Sequence, residues 1–135
     1  MSMLHRDYLL EIIAQFVQVV MAALRRAVLE GNSESITEVE DAVAALLDLD
    51  PQTAMNLSPD SLVTMMLLSG LGDSLASYVS YALDRVGDAY DNLGDHKTAQ
   101  LRWDQAEAVA ESFGYDQSVI PEEFQELDDE LAAAD

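Results

Sequence analysis

Polar residues recur at steps of three and four through the opening of the chain, at Asp7, Glu11, Gln15, Gln18 and Arg25 or Arg26, and nearly everything between them is apolar. That period predicts a helix from about Asp7 to Glu30 with one narrow polar stripe. Its apolar arc, with Leu9, Ile12, Ile13, Phe16, Val20, Leu24 and Val28, is wide enough to demand contact on more than one side. Acids early and Arg25-Arg26 late suit the helix dipole, and Gly31 supplies a stop. A second helix is expected from Ser35, whose spacing to Glu38 fits a capping box, to about Leu49 before Pro51. Ile36, Val39, Val43 and Leu46 share one of its faces. Ser58-Pro59 pairs a capping hydroxyl with proline at the first helical position, opening a short apolar helix that ends at Gly70. Further helices are expected from about Asp73 to Leu93 and from Asp95 to Phe113, and Pro121 opens a short acidic helix that frays into an Ala-rich tail. Nothing alternates with period two for long enough to make a sheet. The fold class is therefore all-α, an antiparallel helical bundle or array of five main helices plus a short C-terminal helix. Residues 1–120 form one domain, followed by the acidic, partly frayed segment 121–135.

Composition narrows the chemistry. The chain has 135 residues, half of them hydrophobic, which is enough to bury a core of its own. With no cysteine, a disulfide framework, a thiolate metal site and a cysteine nucleophile are excluded. Net charge is −20, and it is unevenly placed. Residues 1–30 carry three Arg and three acids, whereas 114–135 carry eight acids and no base. Such a field repels phosphate, so nucleic acid and anionic membrane are not expected partners. The apolar stretch from Tyr8 to Leu29 is interrupted by Glu11, Gln15, Gln18, Arg25 and Arg26, and no signal-type cleavage site follows it. The expectation is a cytoplasmic protein with no membrane span.

Residues 80–111, SYALDRVGDAYDNLGDHKTAQLRWDQAEAVAE, carry a more particular pattern. Leu83 stands at a large position, Val86-Gly87 at a Leu-Gly-type pair and Tyr90 at an aromatic position. Gly94-Asp95 makes a turn, Ala99 and Ala106 are small, and Trp103 lies between them. In these offsets the segment resembles one tetratricopeptide repeat, about residues 80–113, although Glu111 stands where the closing proline belongs. The resemblance covers about a quarter of the chain and implies a helix–turn–helix hairpin whose first helix lines a ligand groove. Gly87 and Ala99 lack bulk and would let two helices approach closely, with Tyr90 and Trp103 filling the space beside them. A second copy is not evident, so other helices or a second subunit must cover the hairpin. The opening Asp7-Tyr8-Leu9-Leu10 together with a single late hairpin also resembles small bacterial proteins, a likeness that implies no activity.

Reaction chemistry finds little support. Gly72-Asp73-Ser74-Leu75 spells the nucleophile block of an esterase family, and a hydrolase acting through Ser74 is one reading. Such a serine needs a histidine base oriented by an acid. The histidines are His5 and His96, and neither has an aspartate three residues before it, so Asp73 reads better as a helix cap. No Glu-x-x-His pair, HExxH or EF-hand loop is present, and Asp128-Asp129-Glu130 reads as a solvated run. Met65-Met66 reads as core. No catalytic residue, metal or cofactor is expected.

The resemblance places Tyr81, Asp84, Asp88, Asp91 and Asn92 at groove positions. Asp84, Asp88 and Asp91 also follow i, i+4, i+7, so they share a helical face. Such a groove favours a protein or peptide partner bearing Lys or Arg. Groove sites that clasp a terminal carboxylate carry Lys and Asn, and that activity is not expected here. Two readings from other classes stand beside this one. The charge could serve solubility alone, with the aspartate stripe a solvated face. Alternatively, the neutral first helix could pair with its copy in a homodimer, a structural role without a peptide groove.

Overall fold

The computed structural model describes residues 2–70 and 72–134, with side chains described from residue 7 onward. No strand occurs among the described residues, and the protein is all-α. In chain order the helices are α1 (Ser2–Leu24), α2 (Glu34–Leu46), α3 (Pro51–Met55), α4 (Pro59–Ser69), α5 (Gly72–Asn92), α6 (His96–Ser112) and α7 (Gln125–Ala133). A π-type turn, Arg25–Leu29, follows α1, and a 3₁₀ turn, Glu122–Phe124, precedes α7.

The α5–α6 hairpin is the centre of the fold. Only Leu93, Gly94 and Asp95 separate the two helices, so they run antiparallel. Gly94 takes φ +86°, which lets the Asp95 N–H reach back 3.0 Å to the Tyr90 carbonyl and close α5. Asp95 then caps α6 by accepting from the Thr98 N–H at 3.1 Å. Gly87 makes the close approach. A Cβ there would lie 2.4 Å from the Trp103 ring and 3.1 Å from the Ala99 carbonyl oxygen. Further along, Ser80 Oγ donates to the Ala106 carbonyl at 2.8 Å, tying the helices where small residues let them touch.

Around the hairpin, α1, α2 and α4 deliver the core. Val20, Leu24, Val39, Val43, Leu62, Leu83 and Val86 are fully buried together. Each such side chain contributes about 1.5–3 kcal/mol over its exposed state. α4 begins as its sequence requires, with Ser58 Oγ accepting from the Ser61 N–H and Pro59 in the first turn, and stops at Gly70 with φ +75°. Of the Met65-Met66 pair expected in the core, Met66 is buried and Met65 only half-buried, while Leu67 and Leu68 face outward.

Several boundaries differ from those read in the sequence. The first helix starts at Ser2 and gives way to the π-type turn at Arg25, so its regular part is Ser2–Leu24 and not 7–30. No capping box forms at Ser35. That side chain is buried and accepts from Arg26 Nε at 3.2 Å, leaving Asn32 Oδ1 to take the Glu34 N–H at 3.0 Å. Glu38 pairs with Arg26 instead of reaching back to the helix start. A separate helix, α3, occupies Pro51–Met55, where Asp50 accepts from the Thr53 N–H. Asp73 is a first-turn residue of α5, not its cap. The acidic C-terminal segment, expected to fray, is helical through Ala133 because Phe124, Leu127 and Leu131 are buried against the rest.

Asp7–Leu29 is long and apolar enough to cross a membrane by length and composition, despite the interrupting polar residues on which the sequence reading set that aside. Only 28% of its most apolar window is buried.

Candidate functional site

Asp84, Asp88, Asp91 and Asn92 all belong to the second half of α5, and the structure treats them differently. Asp88, Asp91 and Asn92 line one cavity of about 340 Å³, closed on its other sides by Asp128, Leu131 and Ala132 of α7 and by Val28 of the π-type turn. Arg85 is the one cation on this wall. Asp84 is not part of the wall and pairs instead with Arg85, Nη2 to Oδ2 at 2.9 Å. Tyr81 is excluded by burial. It is 4% exposed, its ring stacks on Phe124 at 4.7 Å, and its hydroxyl donates to Asp128 Oδ1 at 2.9 Å. The open groove expected along α5 is thus partly covered by α7, and the cavity is the part left open.

Arg85 organises this site. Its guanidinium lies 5.4 Å from the centre of the Tyr81 ring, 3.2 Å from Asp88 and 3.9 Å from Asp128. Burial opposes its charge, but Asp88, Asp84, Tyr81 and Asp128 outweigh burial and hold the guanidinium above its ordinary pKa. Its Nε is buried without a hydrogen-bond partner. Tyr81 is pushed well above the usual phenol range by burial first, then by its bond to Asp128 and that carboxylate's charge. Asp88 also accepts from Trp103 Nε1 at 3.1 Å, and Asp91 meets the His96 ring. The acids on this wall outnumber its one cation, so the cavity is anionic with an apolar floor. That combination accommodates a long side chain with a methylene stem and a positive head.

A second polar cluster lies on the hairpin's other face, and of its members the sequence singles out only Tyr90, as a packing aromatic. Arg102 of α6 is 5% exposed and pairs with Glu40 of α2 at 2.8 Å. Its Nη1 donates to the Met55 carbonyl at 2.8 Å and to Gln105 Oε1 at 3.1 Å. Gln105 Nε2 donates to the Leu57 carbonyl at 2.8 Å. Tyr90 donates to Glu40 at 2.9 Å, and the Arg102 guanidinium sits 5.8 Å from its ring centre. Burial, then the Glu40 charge and hydrogen bond, push Tyr90 up to about 12. A signal for this cluster was present: Glu40 falls among Ile36, Val39 and Val43, and Arg102 between Ala99 and Ala106, each a charge inside an apolar stripe. The cluster binds α2, α3 and α6 together through Arg102 Nε and Nη1 and the Gln105 amide.

Ser74 is exposed in the first turn of α5, while His96 follows the opposite end of that 21-residue helix, so the two share no site. The run Asp128-Asp129-Glu130 is divided, with Asp128 on Tyr81, Glu130 on Arg25 at 2.7 Å and Asp129 exposed. Among the described residues no three His, Asp or Glu stand together as a metal site. No protein-family model, curated protein or solved structure matches the chain.

Proposed function

We propose that the protein is a non-enzymatic interaction module whose α5–α6 hairpin is a tetratricopeptide-like unit and whose anionic cavity receives a Lys or Arg side chain of a partner protein or peptide. The observation that carries this reading is the convergence of Asp88, Asp91 and Asn92 from α5 with Asp128 from α7 on one cavity above Val28 and Leu131. Helix formation asks for none of those carboxylates on one face, and their mutual repulsion has a cost that a bound cation relieves. The tight contact of Gly87 with Trp103 and Ala99 supports the hairpin assignment.

The test is fluorescence anisotropy with a short Lys/Arg-rich peptide. Binding should weaken with salt, as screened charge pairs do. An Asp88→Asn, Asp91→Asn, Asp128→Asn variant keeps the side-chain shapes and should lose affinity by about tenfold or more. A control with Asp60→Asn, Glu107→Gln and Glu111→Gln removes the same charge from exposed positions elsewhere and should bind nearly as wild type. Equal losses in the two variants would mean that net charge alone attracts the peptide, and the cavity reading fails.

A further inference from the structure

We infer that α1 pairs antiparallel with α1 of a second copy of this chain, each seating its outer seam in the other's α1–α2 groove. This surface is separate from the anionic cavity. The groove has a volume of about 500 Å³ and is lined mainly by Tyr8, Ile12, Gln15 and Val19 of α1 and by Ala42 and Leu46 of α2, with Asp48 at its edge. Tyr8 is 61% exposed and Val19 47%, although the opposite side of α1 is committed to the core through Phe16, Val17 and Val20.

The spacing supplies the knobs that such a groove takes. Tyr8, Ile12, Gln15, Val19 and Ala22 follow steps of four, three, four and three, the seam of a two-helix coiled coil. That seam is self-complementary about its centre. In a two-fold antiparallel pair Gln15 meets the partner's Gln15, Tyr8 meets the partner's Ala22, and Ile12 lies near the partner's Val19. Large residues therefore face small ones, and the single central polar residue finds its own amide as partner, which fixes the register. A parallel pair would set Tyr8 on Tyr8 and Glu11 beside Glu11. The antiparallel pair sends these acids to opposite ends.

Charge selects the occupant. Two molecules of net −20 repel over most of their surfaces, whereas residues 1–30 sum to zero, so copies meet along α1 with the least opposing charge, Asp48 on the α2 side being the one acid of the groove's lining. The area is that of a weak, reversible dimer. From Asp7 to Leu24, α1 spans about 27 Å, and the 13 residues of α2 span about 20 Å, which at about 10 Å width is roughly 900 Å² over the two copies.

The experiment is sedimentation velocity on the full chain from about 1 to about 100 µM, with cross-linking to read the register. A mass twice 14.8 kDa is expected, with dimer favoured by added salt as the remaining self-repulsion is screened. Val19→Glu and Ala22→Glu change exposed positions only. Each should keep its helical circular dichroism while moving the monomer–dimer midpoint up by about tenfold or more. The chain has no cysteine, so Gln15→Cys should join two copies through a short bis-maleimide while Tyr8→Cys should not. The Asp88, Asp91, Asp128 variant should dimerise as wild type, so this inference and the cavity reading fail independently. A monomer throughout the range, a dimer indifferent to Val19→Glu, or a monomer that floats with lipid vesicles through α1 would each overturn it.

Discussion

Two arginines on the same hairpin are built alike and end up doing different work. Arg102 lies over the ring of Tyr90, whose hydroxyl donates to Glu40, the acid that also pairs with the arginine. Arg85 lies over the ring of Tyr81, whose hydroxyl donates to Asp128, again shared with the arginine. In each case the acid arrives on another helix, α2 in the first and α7 in the second. In the first triad Arg102 and Glu40 are buried, Tyr90 is half-buried, and backbone and amide groups supply further partners. The second is partly open, surrounded by more acids than it can neutralise, with its Nε unpaired. A buried ion pair with all its partners in place is a structural latch, whereas one left acid-rich beside a cavity retains unspent attraction for a cation.

The sharpest way to break this comparison is to delete each arginine. Arg102→Ala leaves the buried Glu40 without its cation and should cost about 3–5 kcal/mol in urea unfolding. Joint replacement by Glu40→Leu and Arg102→Met should recover much of that loss, because the uncompensated charge is then gone. Next comes Gly87→Ala, which drives a methyl against Trp103 and the Ala99 carbonyl. Its cost should be about 1–3 kcal/mol in the same measurement, and it should disturb both triads, which share this hairpin.

The tyrosines offer a pH test of smaller size. Tyr90 is raised to about 12 and Tyr81 is raised further in the same direction, against about 10 for an unfolded phenol. Below pH 10 both states hold the proton and the contribution is intact. As pH climbs from 10 toward 12 the unfolded chain ionises first, so stability falls. Tyr90→Phe should flatten that decline when thermal unfolding is followed across the window. Smallest of all, Arg85→Met should change stability by no more than about 1 kcal/mol, since its ion pairs are part-exposed. It should tighten the Lys/Arg-rich peptide in the anisotropy assay by removing the cavity's own cation.

The helices themselves were legible because their signals are local. Ser58-Pro59, Gly70 and Gly94-Asp95 act within a turn, and each places a boundary where the structure has one. Ser35 misled because the same hydroxyl that could cap a helix was taken by Arg26, nine residues earlier. α7 was underestimated because acidic composition hides the spacing of Phe124, Leu127 and Leu131, whose burial depends on tertiary partners. Of the five groove positions, Asp88, Asp91 and Asn92 do share a cavity, but α7, arriving from the far end of the chain, removes Tyr81 from reach. Periodicity along one helix cannot reveal what another helix covers.

The order of these parts along the chain has a consequence for synthesis. Every residue of the Arg102 latch lies at or before Gln105, so a nascent or C-terminally clipped chain already possesses all of its side chains. The Arg85 triad awaits Asp128. Until α7 arrives, the wall of α5 that carries Tyr81 and the aspartates stands bare, and the docking of a helix made after the hairpin decides how much of it stays accessible.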